Sequence, residues 1–360
     1  MKKTLLHFLA MAFLAVSCHV EVVIPVGEDE PTGVMNAQLS TLNSSHSVYL
    51  SLSQKSSLRA LPGAEVRVFV NGAHVATAAE VPPPYDGVRE TTYLFDATFA
   101  PGDEVRIEAR KGSINLSATV TAPPAVTISS IDTSTVMLTY MGDMSTYLQA
   151  KTSFQDVPGT SFYRVYGHLQ DEFAYLDEEG NPIPDLSGVA DSGLWMETGF
   201  DPVISEGGGK TGGLDLAALL DAQNPYHCFS DRPFSDRECT IRPLFYHGGV
   251  LLPEVAYGIY IPESMQNDVD SWEALRNLPR RVHRRASVQV ISLDFAQYHY
   301  LKALENLDLF GTEMSFLVEP TTLPSNVEGG LGFVALDTVS ELLFYEDTRT
   351  YPALKDNLYY

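Results

Sequence analysis

The chain has little positive charge and little cysteine, and both shortages exclude classes of protein. Its 360 residues carry 23 Lys and Arg against 46 Asp and Glu, which gives a formal charge of −23. Because phosphate contacts need a basic face, this balance argues against general nucleic-acid binding. Three cysteines are too few for a small disulfide-rich scaffold or a cysteine-rich zinc module. Apolar residues make up 44%, enough for a packed core, which argues against a disordered chain.

The common catalytic motifs are missing as well. The sequence contains no Gly-x-Ser-x-Gly nucleophile turn, no His-Glu-x-x-His zinc helix and no Gly-x-Gly-x-x-Gly after a strand. The segment Gly207-Gly208-Gly209-Lys210-Thr211 matches a phosphate loop only in part, because Ile204 stands where that motif needs a glycine. A flexible glycine-rich loop is the favoured interpretation. We therefore expect no enzyme activity, no cofactor and no metal site.

Long apolar runs are absent except at the N-terminus. Lys2 and Lys3 precede an apolar run over residues 5–16, which is too short to span a bilayer and is typical of a secretory signal. The run ends in Ala15-Val16-Ser17-Cys18, which resembles the bacterial lipoprotein signal, in which the cysteine is acylated. We expect residues 1–17 to be a signal peptide, Cys18 to carry palmitate-type lipid and residues 18–32 to be a tether. An ordinary secretory signal with a chance cysteine is the alternative.

Removal of the signal would change the charge and the way the protein meets a membrane. Two lysines would be lost, so the formal charge would fall from −23 to −25. Such a chain repels anionic headgroups, so a lipid tether and not a basic patch would hold it at the membrane.

Two further cysteines, Cys228 and Cys239, lie close together in a polar stretch. In an oxidising compartment this spacing predicts a disulfide, which closes a short loop. A metal site that combines them with His227 and His247 is the less favoured alternative, because free thiolates do not persist there.

The fold class is mainly β, a β-rich α+β protein in two parts. Residues 33–123 show turn signals every 8 to 12 residues, which predicts an immunoglobulin-like β-sandwich. Val66, Val68 and Val70 alternate with polar neighbours, and Asn71-Gly72 then predicts a tight hairpin. A second hairpin turn is predicted at Lys111-Gly112. The prolines of Ala122-Pro123-Pro124 mark the boundary with the second part.

Residues 124–360 are predicted to form a larger β-rich domain with a few short helices. Strand patterns occupy residues 128–131, 136–140, 162–168 and 287–293, and helical patterns occupy 214–222, 265–278 and 295–307. The acidic stretch over residues 177–182 is typical of a solvated hairpin turn, with a calcium loop as the alternative. Aromatic residues at 162–166 and 298–300 would suit sugars or peptides, but their spacing favours core packing.

One basic cluster stands out in this acidic chain: Arg276, Arg280, Arg281, Arg284 and Arg285. Because guanidinium groups bind carboxylates and phosphates in pairs of hydrogen bonds, the cluster is a candidate anion or partner site. The favoured alternative is a connector whose arginines pair with the protein's own carboxylates.

Several segments together resemble a family of Bacteroidetes lipoproteins known as domain of unknown function four-two-four-nine. The matching pieces are residues 154–164, 288–301, 319–332 and 61–68, and their order and spacing carry the likeness. Ser161 departs from the Asn that the family usually has before its Tyr-Tyr-Arg. The resemblance implies an outer-membrane lipoprotein, often encoded near TonB-dependent nutrient receptors, and it supplies no catalytic residues. Within the third piece, we expect Gly329, Gly330 and Gly332 to allow a tight turn or a close backbone approach.

Three hypotheses about function follow. The leading one is a non-catalytic accessory or binding component of a TonB-linked uptake system that is lipid-anchored at the outer membrane. The sequence leaves open which face of that membrane the protein occupies. A structural or adhesive surface lipoprotein is the second. The third is a hydrolase that uses two of the many carboxylates, which need a separation of about 5 to 10 Å across a cleft.

Overall fold

The structure is a computed structural model. It describes residues 31–54, 57–83, 85, 87–140, 143–206, 224–251, 260–265, 272–310 and 323–353. The predicted signal peptide, Cys18, most of the tether, the glycine-rich loop at 207–211 and the helix predicted at 214–222 lie outside these residues.

The first region consists of short strands, as predicted. They are β1 (Thr32–Ser40), β2 (Ser45–Gln54), β3 (Ser57–Ala60), β4 (Glu65–Val70), β5 (Ala73–Thr77), β6 (Ala79–Glu80), β7 (Thr91–Asp96), β8 (Glu104–Lys111) and β9 (Ile114–Thr121). The hairpin predicted at Asn71-Gly72 joins β4 to β5, and both residues have positive φ, 50° and 80°. The turn at Gly112 joins β8 to β9, which confirms the second hairpin.

Two sheets face each other in this region. The order β5-β4-β8-β9 forms a four-stranded sheet, while β1, β2, β3, β6 and β7 belong to a larger one. The alternation seen in the sequence places Val66 and Val68 of β4 in the shared core, opposite Leu39 and Leu50 of β1 and β2. The sandwich is therefore held by apolar side chains from both inner faces.

The second region contains the longer strands and the helices. They are β10 (Thr127–Tyr140), β11 (Asp143–Gln155), β12 (Phe162–Leu176), β13 (Pro182–Gly193), β14 (Met196–Glu197), β15 (Cys228–Ser230), β16 (Glu238–Ile241), β17 (Leu244–Tyr246), α1 (His247–Val250), α2 (Trp272–Arg276), β18 (Arg280–Leu293), α3 (Phe295–Phe310) and β19 (Val334–Tyr351). A 3₁₀ turn covers Glu263–Met265. The mainly-β prediction is confirmed.

Local predictions in this region agree with the structure. The acidic segment forms the turn between β12 and β13, where Asp177 N–H donates to Asn181 O at 2.9 Å and Gly180 has a φ of 83°. The helix predicted over 295–307 is α3, which begins after Asp294, whose carboxylate accepts from Gln297 N–H at 2.6 Å. The helix predicted over 265–278 corresponds, within the described residues, to the end of the 3₁₀ turn and to α2.

One long sheet runs through both regions. Its order is β13-β12-β18-β19-β1-β2-β7-β6, with β15 paired to β12 and β3 to β2. The start of β19 lies parallel to β1, and Val334 and Leu336 enter the first core. The end of β19 lies antiparallel to β18, so this one strand joins the two regions.

The close backbone approach predicted for the glycines accompanies this junction. Gly329, with φ 76°, lies against the Asn115 carbonyl, and Gly332, with φ 115°, lies against the Met35 carbonyl. A side chain at either position would overlap those backbone atoms. The prediction is confirmed, because only glycine combines that conformation with that proximity.

A second core and a covering helix complete the layers. The sheet β10-β11-β17-β14, with β16, packs on β12 and β18 through Phe154, Val165 and Val288. On the other face of the long sheet lies α3, whose Tyr298 and Leu301 pack with Phe162 and Val339. Of the helices that the structure describes, none is long and apolar enough to cross a membrane.

Candidate functional site

The arginine cluster found in the sequence is divided between two faces of the long sheet. Residues 280–285 are not a connector but the beginning of β18, so their side chains alternate between faces. Arg280 and Arg284 point to one face, and Arg281 and Arg285 to the other. Arg276 lies at the end of α2 and is exposed. The five arginines therefore do not form one site.

Arg284 is the most firmly bound of the five. Its Nε and Nη2 atoms donate to the two carboxylate oxygens of Asp171 at 2.7 and 2.6 Å, and the two side chains are only 11% and 6% exposed. Asp171 lies directly across from Arg284 in the β12–β18 ladder and also accepts from Tyr260 Oη at 2.8 Å. Burial opposes the charge on Arg284, but the hydrogen bonds and the charge of Asp171 outweigh it and raise the pKa of the guanidinium.

Arg280 and Arg285 also have partners within the chain. Arg285 pairs with Glu172 and Gln170 of β12, and the ion pair is partly exposed. Arg280 is 1% exposed and its guanidinium lies 5.5 Å from the centre of the Tyr351 ring. Internal pairing, the favoured alternative, therefore accounts for Arg284 and Arg285. Anion binding stays a prediction.

The outward face of this part of the sheet carries a continuous polar surface, which we call the polar row. Its members lie opposite or diagonal to one another on four strands: Asp191 on β13; His168, Gln170 and Glu172 on β12; His283, Arg285 and Ser287 on β18; and Glu341 and Glu346 on β19. A recess of about 360 Å³ lies at its centre and is lined in part by Leu343, 47% of which is exposed.

Glu341 is the centre of the polar row. It accepts hydrogen bonds from the Ser287 hydroxyl, from Gln289 Nε2 at 3.2 Å and from His168 Nδ1 at 3.2 Å. Burial by itself would raise the pKa of Glu341, but these three hydrogen bonds together lower it. The carboxylate is thus held ionised at neutral pH.

The hydrogen bonds of the polar row join Ser287 and His168 to two carboxylates. Ser287 donates to Glu341, and both nitrogens of His168 face carboxylates, Glu341 on one side and Asp191 at 3.2 Å on the other. Within the described residues the Ser287 hydroxyl donates to the Glu341 carboxylate and has no hydrogen bond to an imidazole, the base that activates a serine nucleophile in Ser–His pairs. The imidazole also fills the space between the two carboxylates, where a glycosidase needs its substrate.

The sequence did not single out His168, Ser287 or Glu341. The alternation of His168, Gln170 and Glu172 along β12 is a sequence signal that one face of this strand is polar. Their meeting with Glu341, 173 residues further along the chain, depends on the pairing of β12, β18 and β19.

The disulfide predicted between Cys228 and Cys239 is not formed in this structure, where both are buried free thiols. Cys228 lies on β15 beside β12, and Cys239 lies on β16 beside β11. They belong to different apolar clusters, because their strands pair with different sheets. Burial raises the pKa of each thiol to about 12, so neither is a ready thiolate for a metal.

Among the described residues, no group of three or more His, Cys, Asp and Glu side chains is placed to hold a metal ion. His227, the histidine nearest Cys228 in sequence, instead pairs its Nδ1 with Thr198 Oγ1 at 3.0 Å. Cys18, the predicted lipidation site, lies outside the described residues.

The lowered pKa of His227 makes the stability of the protein depend on pH. Burial, with a smaller contribution from Arg164, lowers its pKa from 6.5 to about 4. Between pH 6.5 and 4 the unfolded chain therefore binds more protons at this residue than the folded chain does. The contribution of neutral His227 to stability is thus complete above pH 6.5 and is lost as the pH falls towards 4. We expect His227→Asn, in which asparagine tolerates the φ of 53°, to reduce the fall in unfolding free energy over this interval by about 3 kcal/mol.

The measurement is urea unfolding at pH 4, 5, 6 and 7. His74→Asn is the matched control, because His74 is exposed on β5 and should leave the pH profile unchanged. An unchanged profile in His227→Asn would contradict the buried neutral state of this ring.

Comparison with known proteins adds one finding. A family model described as "Domain of unknown function (DUF4249)" matches residues 20–342. The match spans both regions and includes every member of the polar row up to Glu341. None of the curated proteins compared with the chain matches it.

Proposed function

For this chain, which belongs to the family of the Domain of unknown function (DUF4249), we propose a binding function. The protein is a lipid-anchored, non-catalytic component of a TonB-linked nutrient uptake system at the outer membrane of a Gram-negative bacterium. The polar row is the surface that meets its receptor. The observation that carries the proposal is the polar row itself, a charged surface with an exposed leucine at its centre.

The chemistry of the row indicates what kind of partner fits. Asp191, Glu172, Glu341 and Glu346 outnumber Arg285, so the surface is acidic with one fixed cation. The side chains of Asp191 and Glu346 are both 57% exposed and so are open to a partner. Leu343 is exposed among these charged side chains, an arrangement like the apolar centre and polar rim of a protein interface. The partner is therefore a protein surface rich in lysine, arginine or hydrogen-bond donors.

The N-terminal segment supports the anchor. The apolar run over residues 5–16 followed by Ala15-Val16-Ser17-Cys18 is typical of a lipoprotein leader. Each buried CH₂ of an acyl chain contributes about 0.8 kcal/mol, so several chains on Cys18 hold the protein stably at a membrane. The acidic charge of the chain makes such a tether necessary.

If Cys18 is acylated, a tagged fatty acid should be incorporated at that residue. In cells grown with an alkyne-tagged fatty acid, the full chain should carry the tag and sediment with membranes. Cys18→Ser should lose the tag and accumulate unprocessed, whereas Cys239→Ser, which alters a buried thiol, should keep it. Label retained on Cys18→Ser would contradict the anchor.

The partner is tested by purification from native membranes. After mild detergent extraction, the tagged protein should bring down a β-barrel receptor. The charge reversals Asp191→Lys with Glu346→Lys should weaken that association at least tenfold, because they oppose a basic partner surface. Glu65→Lys is the matched control, since its carboxylate is 50% exposed but lies on the first sandwich. Purification of the parent alone at native receptor levels would overturn the proposal.

One observation favours a second function. The first region is a two-sheet β-sandwich, an architecture that many cell-surface domains share. A structural or adhesive lipoprotein would use it for attachment. A deletion that impairs attachment but leaves growth on the nutrient intact would support this function over uptake.

A further inference from the structure

A second cavity lies on the same face of the long sheet, between α3 and the first sandwich. Its volume is about 220 Å³. Its floor is the outer face of β1, β2 and the segment leading into β19, and its roof is α3. The lining residues are Asn36, Ala37, Gln38, Tyr49, Gln297, Tyr300, Leu301, Phe333 and Ala335.

The chemistry of the lining is neutral throughout. Three side-chain amides, from Asn36, Gln38 and Gln297, supply both donors and acceptors, and no lining residue carries a charge. Tyr300 stacks on Phe333 with 4.2 Å between ring centres and an angle of 11° between the planes. Tyr49 stands at the opening and is 36% exposed. Flat aromatic surface and several amides are the groups that recognise a ring bearing hydroxyls.

One buried amide in the lining is left unsatisfied. Gln297 is 3% exposed, and among the described residues its Oε1 atom accepts no hydrogen bond. Leaving a buried acceptor without a donor costs about 1 to 3 kcal/mol, so such a group needs an explanation. A donor in the cavity, met by a small rotation of this amide, would supply the missing hydrogen bond.

The roof of the cavity is fixed from outside, so the cavity is preformed. Tyr298 stacks on Phe162 at 4.6 Å between ring centres and donates to Glu206 at 2.9 Å. Lys302, one turn further along α3, pairs with Glu206 at 3.3 Å. Both residues lie beside those that face the cavity, so α3 is held in register before any ligand arrives.

We infer that this cavity binds a small neutral ligand bearing hydroxyl groups, of the size of a single sugar ring. Its volume lies below the roughly 300 to 1,000 Å³ of pockets that hold drug-sized ligands. A hydroxyl donates to Gln297 Oε1, and a ring face lies against Tyr49, which is partly exposed, whereas Tyr300 already stacks on Phe333. The inference is separate from the receptor surface proposed above, since none of the polar row lines this cavity.

The test uses ligand-observed NMR and calorimetry on the purified full chain without its leader. The probes are D-glucose, D-galactose, D-mannose and N-acetyl-D-glucosamine, with acetate and methylammonium as charged comparisons. At least one sugar should bind with a millimolar Kd. Gln297→Leu and Tyr49→Ala should each weaken that binding at least tenfold, whereas Tyr246→Ala, an exposed tyrosine elsewhere, should leave it unchanged.

The melting temperature of Gln297→Leu distinguishes a ligand-binding role of Gln297 from a purely structural one. Because Gln297→Leu removes an unsatisfied acceptor, its Tm should equal or exceed that of the parent. Failure of all four sugars to bind, tighter binding of a charged probe, or sugar binding that both variants retain would overturn the inference. A lowered Tm in Gln297→Leu with unchanged sugar affinity would assign the residue to packing alone and overturn it as well.

Discussion

Replacing Arg284 with alanine is expected to lower the free energy of unfolding by about 3 to 5 kcal/mol. The substitution leaves the carboxylate of Asp171 only 6% exposed and without the guanidinium that forms two hydrogen bonds to it. A buried charge that loses its partner is far more costly than the pair itself is stabilising. Urea unfolding at pH 7, followed by circular dichroism, measures the loss.

Arg285→Ala is the matched control. The neighbouring arginine lies on the same strand and also faces a carboxylate, but its side chain is 35% exposed and that of Glu172 is 47% exposed. Exposed pairs contribute about 0.2 to 1 kcal/mol, so this variant should unfold close to the parent. Equal losses in the two variants would contradict the different burial of the two pairs.

A double variant identifies the physical cause. Replacing both partners with apolar residues, as in Arg284→Met with Asp171→Leu, removes the unpaired charge and should recover most of the loss. Tyr260 would then lose its hydrogen bond to Asp171, so recovery should be incomplete by about 1 kcal/mol. A double variant as unstable as Arg284→Ala would show that side-chain shape, and not the uncompensated charge, is what matters.

Gly332→Ala is expected to destabilise the junction between the two regions by more than about 3 kcal/mol. With a φ of 115°, the residue has a conformation that side chains rarely adopt, and a Cβ atom would overlap the Met35 carbonyl. Conformational strain and overpacking each cost about 1 to 3 kcal/mol. The Leu331 carbonyl accepts from Met35 N–H at 2.9 Å, so hydrogen exchange at Met35 should accelerate as well.

Gly72→Ala separates strain from collision. Gly72 also has positive φ, 80°, but a Cβ atom there would meet no atom of the described residues within 4 Å. Only the conformational cost of about 1 to 2 kcal/mol should remain. If both glycine variants lose the same stability, the close approach to β1 has no energetic role.

The contrast between residues 66–72 and 280–285 shows what the sequence could predict. Val66, Val68 and Val70 alternate with polar residues and precede Asn71-Gly72, so the strand and its turn follow from neighbours in the chain. Residues 280–285 carry four arginines and one histidine, and no apolar alternation marks them as a strand. They form the start of β18 between β12 and β19, which place Asp171 beside Arg284 from 113 residues before it and Glu346 beside His283 from 63 residues after it.

The aromatic residues at 298–300 and the two cysteines show the same limit of local sequence patterns. The aromatic residues at 298–300 were open to two interpretations, and the structure divides them, since Tyr298 packs on Phe162 while Tyr300 stacks on Phe333 at the cavity. The cysteines at 228 and 239 are close in sequence, yet they lie on strands that pair with different sheets. Spacing along the chain could not reveal either outcome.

Features that depend on neighbouring residues follow from the sequence alone: the short strands and hairpins of the first region, the acidic turn, the helix α3 and the need for glycine at 329 and 332. Three features depend on long-range strand pairing: one sheet runs through both regions, the arginines point to two faces, and Glu341 meets His168 and Ser287. The reason is that strand pairing joins residues far apart in the chain, such as Glu341 with Ser287, 54 positions away, and with His168, 173 positions away, and no local pattern encodes which strands will be neighbours.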